Sequence, residues 1–345
     1  MNLRGLGIGS MMYGIGYGFS RPDFGFAEIE LSSDGTLTIW SGASELGQGL
    51  RTVLCQIAAE ELGIPYEDTH IISSDTAKTP DAGPVSASRS TYVQGNAVLK
   101  ATQDLKDELQ SLAAALLSVD AESLEFRDGQ VIVADDPSRF LSFRLLATEM
   151  HNRGKRVRGI GRHDITTTDV DPETSQGDAY ATYAWASQLV IVEVDTETGY
   201  VNVLRLASAT DAGKAINPAA VEGQIEGGAV QGLGFALMEE MRLQEGVFRN
   251  ANFSTYLIPT AADVPPIDSL IVEVPEPSGP YGAKGIAEPA TIPTAPAIFN
   301  AIADATGTRI LITPASPERM FTALGENKSS SLKEIPRENI PYPDP

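Results

Sequence analysis

Two segments of this chain spell out the same piece of architecture. "FAEIELSSDGTLTIWSG" (26–42) and "LVIVEVDTETGYVNVLRLAS" (189–208) each alternate apolar and polar residues on both sides of a turn signal, Asp34-Gly35 in one and Thr198-Gly199 in the other. Alternation sends every second side chain to one face, so each segment is expected to form a hairpin with one face in a core. Each hairpin is followed by a loop and a helix-like stretch. After the first, Leu50, Val53, Leu54, Ile57, Ala58 and Leu62 fall at three-and-four spacing, with Gly63 as the stop. After the second comes "TDAGKAINPAAVEGQIEGGAVQGLGFALMEE". A hairpin and helix used twice predict a weak internal duplication: an α+β fold of two related lobes, each a mixed β-sheet with packed helices.

The remaining stretches divide accordingly. Val93, Ala97, Val98, Ala101, Leu105, Leu109, Leu112 and Leu116 mark a long amphipathic helix, and Ala297, Ile298, Ala301, Ile302 and Ala305 a second one ended by Gly307. The charged, Thr- and Gly-rich region from about 135 to 176 is the expected linker. We therefore expect lobe 1 over 1–165, lobe 2 with the Glu288 loop over 166–325, and an extended polar, Pro-rich tail over 326–345. "GLGIGS" from Gly5 resembles a dinucleotide-binding loop only loosely, because no apolar strand precedes it.

Composition removes several functions. Forty-six acidic against twenty-five basic residues give a formal charge of −21 over 345 residues, which repels nucleic acid and anionic membrane surfaces. No apolar run is long enough to span a bilayer, and the N-terminus is too glycine-rich for a signal-peptide core, so a cytoplasmic protein is expected. A single cysteine, Cys55, cannot build a disulfide, a zinc site of the usual kind or an iron–sulfur cluster. HExxH, GxSxG and P-loop patterns are absent.

Three loops sit at the mouths of helices, where free backbone N–H groups suit an anion such as phosphate. Gly47-Gln48-Gly49 opens the helix at Leu50; a tight turn with a cap is the plain alternative. "PDAGPVSASRSTYVQG" places Ser86, Ser88, Arg89 and Ser90 before the long helix, where a serine-rich capping loop would look the same. "VEGQIEGGAVQGLGFALMEE" carries Gln224 and Gln231 among five glycines, which serve either close approach to a ligand or close helix packing. Glu288 stands alone in the apolar "GPYGAKGIAEPATIP". Desolvated, it could take and return a proton near neutral pH; otherwise it is the i,i+4 ion-pair partner of Lys284 on a surface loop.

Together, "GASELGQGLRTVLCQIAAEELGIP", "GPVSASRSTYVQGNAV", "DAGKAINPAAVEGQIEGGAVQGLGFALMEE" and "GPYGAKGIAEPATIPTAPAIFNAIADATG" resemble, in order and spacing, the molybdenum-binding part of the xanthine dehydrogenase and aldehyde oxidoreductase family, from about Arg4 to Leu324. The resemblance implies a molybdopterin cofactor with molybdenum, in its cytosine dinucleotide form. Gly47, Gln48 and Gly49 would contact the pterin; Ala87, Ser88, Arg89 and Ser90 would pass under the metal and hold the phosphate portion. Gln231 matches a second cofactor-binding glutamine, and Lys284 and Gly285 match residues beside the pterin. No residue of the chain is implied as a metal ligand. Glu288 corresponds to the catalytic glutamate, the base of a hydroxylation that delivers water-derived oxygen to an electron-poor carbon.

The motifs occupy only the C-terminal half of the family's molybdenum subunit, so the chain resembles the smaller piece of a split subunit of the nicotinate dehydrogenase type. That implies partners: a larger molybdopterin subunit, an iron–sulfur subunit and an FAD subunit. An N-heteroaromatic substrate such as nicotinate or a purine is expected, with an aldehyde or a non-catalytic, cofactor-holding role as alternatives. One position departs from the family, which writes glycine where this chain has Ala287; a methyl there could shift the carboxylate.

Overall fold

The computed structural model of the chain describes residues 1–329. In chain order its elements are β1 (Asn2–Gly14), β2 (Asp23–Leu31), β3 (Leu37–Ser41), α1 (Leu50–Leu62), β4 (Thr69–Ser73), α2 (Ser90–Leu117), β5 (Leu124–Arg127), β6 (Gln130–Val133), β7 (Asp136–Ser142), α3 (Phe143–Asn152) and β8 (Arg158–Ile165). They continue with β9 (Tyr183–Asp195), β10 (Val201–Asp211), α4 (Pro218–Leu237), β11 (Leu243–Gln244), β12 (Val247–Phe248), β13 (Ile267–Val272), α5 (Ala287–Thr291), α6 (Thr294–Thr306) and α7 (Pro317–Ser329).

The two expected hairpins form, β2–β3 and β9–β10, and each is the centre of a four-stranded sheet. The sheets share one plan. Strand order is β4-β3-β2-β8 in one and β13-β10-β9-β1 in the other. In each, the outer strand beside the hairpin's second strand is parallel (β3–β4, β10–β13), and the other edge is antiparallel (β2–β8, β9–β1). A crossover helix, α1 or α4, connects the parallel pair, and the next long helix, α2 or α6, packs on the sheet. Separate apolar cores fill the two lobes, one built on Ile29, Ile39, Leu54 and Leu105, the other on Val190, Val192, Leu233 and Ile298.

The duplication is permuted in sequence: lobe 1 takes its antiparallel edge strand last (β8), whereas lobe 2 takes it first (β1). The first fourteen residues thus belong to the sheet of lobe 2, not to a lobe running 1–165. Glycine makes this possible. A Cβ on Gly5 or Gly7 would lie 2.2 Å from the carbonyl oxygens of Ala301 and Ala297 on α6, so "GLGIGS" is a strand stripped of side chains where a helix backbone rests on it. Gly159 and Gly161 of β8 do the same against Ala101 and Ala97 of α2.

The region 135–176 is not simply a linker, because β7, α3 and β8 lie within it. Part of its charge lies on the outward face of β8, where exposed Arg158, Arg162 and Asp164 alternate with inward residues. The expected tail also begins too early. α7 runs to Ser329, anchored by buried Met320 and Leu324 one turn apart; the rest of 326–345 lies outside the described residues.

Candidate functional site

The loop before α2 has an unusual backbone. Ala87 and Ser88 are consecutive left-handed residues, φ 54° and 50°, a conformation that costs a non-glycine residue about 1 kcal/mol or more. Arg89 compensates. Its guanidinium is buried, with Nε donating to Asp23 Oδ1 at 2.6 Å, Nη1 to the carbonyls of Ala82 (3.1 Å) and Pro84 (2.7 Å), and Nη2 to Phe24 O. Asp23 also accepts from Tyr17 N at 2.7 Å, and Gly16 N donates to Ala87 O at 2.9 Å. Arg89 therefore spends its donors on the protein and builds the loop; the free guanidinium expected for an anion is not what the geometry offers.

Against this loop lies 283–288. Gly285 abuts Ser88 so closely that an added Cβ would be 1.6 Å from Ser88 O. Lys284 turns the other way: its Nζ donates to Asp211 Oδ2 at 2.7 Å, with both side chains 7% exposed. The i,i+4 ion pair between Lys284 and Glu288 does not form, because 283–286 is extended chain rather than helix, with Ala283 bridged to Gly213. Ala287 is the first residue of α5 and has no positive φ, so its methyl carries no backbone cost.

Glu288 is half-buried. Its N–H donates to Ser88 Oγ at 3.1 Å, and its carboxylate accepts from the same hydroxyl. Two residues on, Ala290 O accepts from Gln188 Nε2 (2.8 Å), a fully buried side chain of β9 whose Oε1 accepts from Thr294 (2.6 Å). The short helix bearing Glu288 is thus pinned to the sheet of lobe 2, and its carboxylate to the loop of lobe 1.

The mouth of α1 differs from expectation. Glu45 fills it, accepting from the N–H groups of Gly47 (2.9 Å), Gly49 (2.9 Å) and Arg51 (3.0 Å). Burial opposes this charge, but the three N–H groups and the Arg51 cation outweigh it and hold the carboxyl below its usual range. Gln48 is folded onto the same loop, its Nε2 donating to Ser44 O at 2.9 Å.

A cavity of about 260 Å³ lies between the lobes, lined by Gln48, Ser86, Ser88, Arg89, Ser90, Lys284, Gly285 and Glu288, with Val53, Val85, Ile216 and Val221 as apolar wall. Glu288 also borders a second, more open hollow of about 480 Å³ with Gln224, Gln231 and Phe235 of α4. Of the residues singled out from sequence, Gly47, Gly49, Ala87 and Gln231 stand outside the first cavity, and Gln231 faces the second. The glycines of α4 divide: a Cβ on Gly228 or Gly232 would lie 2.6 Å from Ala290 or 2.4 Å from Thr294, whereas one on Gly223 or Gly227 would meet nothing within 4 Å. Sequence reading passed over Asp23, Glu45, Gln188 and Asp211. Only Glu45, two residues before the Gly-Gln-Gly turn, carried a local signal, as an acid at a helix start.

Residues 1–265 match the molybdopterin cofactor-binding domain family. The chain is 33% identical over 322 residues to the xanthine dehydrogenase molybdenum-binding subunit of Escherichia coli O157:H7, covering 92% of this chain and 42% of that protein. It is 34% identical over 330 residues to the 6-hydroxypseudooxynicotine dehydrogenase complex subunit gamma of Paenarthrobacter nicotinovorans, covering 94% and 40%. Quinoline 2-oxidoreductase from Pseudomonas putida 86 superposes with a TM-score of 0.82 at 28% identity, over 94% of this chain and 42% of the other. The chain thus spans about two fifths of the length of these relatives. Matched over residues 1–265 by the family and over 92% of its length by a xanthine dehydrogenase molybdenum-binding subunit, the chain belongs to the molybdopterin cofactor-binding domain family of xanthine dehydrogenase-type proteins.

Proposed function

We propose that this chain is the Glu288-bearing, cofactor-binding portion of a molybdenum hydroxylase that oxidises an N-heteroaromatic carbon with oxygen from water. The observation that carries the reading is convergence: Gln48, Ser88, Ser90, Lys284, Gly285 and Glu288, from three distant segments, border one cavity.

The lining fits the cofactor. Hydroxyl groups of Ser86, Ser90 and Thr91 match a hydrogen-bonding heterocycle, and the first turn of the 28-residue α2 matches phosphate. Lys214, Ala215 and Ile216 are shared with a larger hollow of about 790 Å³, which supports the cytosine dinucleotide form over the plain pterin. Bound there, the group supplies two-electron oxidation and the activation of water.

The chain's own residues do the rest. Glu288 takes up at its carboxylate the proton released as oxygen is delivered to the substrate, and returns it to solvent on the side of the open hollow. Ser88, whose hydroxyl both accepts from Glu288 N–H and donates to its carboxylate, fixes the side chain against the cavity wall. Arg89 and Asp23 hold Ser88 in its left-handed backbone. The Lys284–Asp211 pair keeps a cation beside the cavity without spending the base.

A relative of similar fold oxidises quinoline by name. Partners follow from what the chain leaves uncovered. Ile8, Met12, Trp185 and Leu270 stand exposed on the face of the β1-β9-β10-β13 sheet turned away from α6, as a larger molybdopterin subunit would require. A single cysteine within these residues holds no iron–sulfur cluster, which supports an iron–sulfur subunit and then an FAD subunit as the route by which electrons leave. No described helix is long and apolar enough to cross a membrane, which supports a cytoplasmic assembly. The test is turnover of nicotinate- and purine-type substrates by the purified complex in 18O-labelled water: label in the product supports the reading, and oxidation without label refutes it.

A further inference from the structure

Alternation along β9 buries six side chains, and five of them are alanine or valine; the sixth is Gln188. An amide buried in an apolar row costs its desolvation unless its polar atoms find partners. Here they do. Nε2 donates to Ala290 O at 2.8 Å and to Ser208 Oγ at 3.2 Å, and Oε1 accepts from the Thr294 hydroxyl at 2.6 Å, all four residues being fully buried. Ala290 belongs to α5 and Thr294 opens α6, so one side chain spans the joint between the short helix that carries Glu288 and the longer helix packed on the sheet.

A five-residue helix such as α5 holds its own direction poorly, because most of its backbone groups lack a partner within the helix. On one side α4 blocks it, where a Cβ on Gly228 or Gly232 would run into Ala290 or Thr294. On the sheet side stands Gln188. We propose that Gln188 is a positioning residue for Glu288: by tying Ala290 to Thr294 it fixes the rotation of α5 on α6, and with it the place from which the Glu288 carboxylate reaches Ser88 and the cavity. The inference rests on reading Glu288 as the base. Ser88 holds the carboxylate from lobe 1, and Gln188 holds its helix from lobe 2. The amide has no titratable proton, so it acts on the geometry of the base and not on its charge.

The test is a mutant cycle in the assembled complex. Gln188→Met keeps the length of the side chain and removes its bonds; combined with Thr294→Val, it leaves no hydroxyl unpaired in the core. This double variant should keep its molybdenum content and hold KM within about twofold while kcat falls about tenfold, as a displaced general base requires. In a Glu288→Gln background the same two changes should alter the residual turnover by less than about twofold, because no base is left to place. Ser208→Ala takes one bond from the same amide and leaves both ends of the joint tied, so it should keep the parent kcat. Parent kcat in the double variant, or a tenfold loss repeated in the Glu288→Gln background or in Ser208→Ala, overturns the proposal. A fall in kcat that only follows lost molybdenum is a structural effect and overturns it as well. Full activity in Glu288→Gln instead removes the base and with it the role of Gln188, so the two readings fail on different measurements.

Discussion

Replacing Gly285 by alanine puts a methyl group where two backbones already touch. Its Cβ would sit 1.6 Å from Ser88 O and 2.6 Å from Ser88 C, where ordinary contact begins at 3.4 Å. One backbone must give by roughly 2 Å, since packed interiors hold no spare room. Neither yields easily. Ser88 is held left-handed by the bonds of Arg89 and Ala87, and the strand through 284 is held by the buried Lys284–Asp211 pair and by Lys284 N donating to Ala212 O at 3.0 Å. Overpacking against side chains costs about 1–3 kcal/mol; with backbone on both sides we expect the upper end, about 3 kcal/mol or more. Gly227→Ala is the control. Nothing lies within 4 Å of its Cβ, and it sits inside α4, so alanine should be neutral or stabilise by about 0.5–1 kcal/mol. Urea unfolding of the full chain, compared by midpoint at constant slope, reads both. Equal midpoints for Gly285→Ala and the parent would refute the contact between 283–288 and the loop before α2, and the site with it.

Further perturbations separate the remaining interactions. Asp211→Asn strands the buried Lys284 ammonium and should cost about 3–5 kcal/mol, while adding Lys284→Met to it should recover most of the loss in the same unfolding assay. The Glu45 carboxyl titrates below its usual value in the folded state, so its contribution is present above the unfolded value of about 4.3 and is lost as pH falls through the lower folded one. Glu45→Gln should flatten that acid limb of the stability profile; an unchanged limb would remove Glu45 as the anchor of the Gly-Gln-Gly turn.

What the sequence revealed was whatever is periodic or contiguous. The hairpins at 26–42 and 189–208 and the helices α1, α2 and α6 are read from alternation and three-and-four spacing, and Gly63 and Gly307 end helices as their left-handed caps. The site was legible as motifs but not as contacts. Lys284 and Glu288 look like an ion pair only if the segment is helical, and the true partner, Asp211, lies 73 residues away at the end of β10. Arg89 reads as a free cation until Asp23, 66 residues earlier, is placed against it. β1 was unreadable as a strand because its alternate positions are glycines, whose use becomes visible only when α6 lies on them.

The central claim is that Glu288 is the base of a site assembled from both lobes. Its most direct measurement is Glu288→Gln in the assembled complex, with molybdenum content and turnover determined on the same sample. The glutamine keeps the shape and the contacts to Ser88 while removing the proton acceptor, so the expected result is full metal content with activity lower by about 100-fold or more, the range general-base catalysis supplies. Full metal content with undiminished turnover would contradict it.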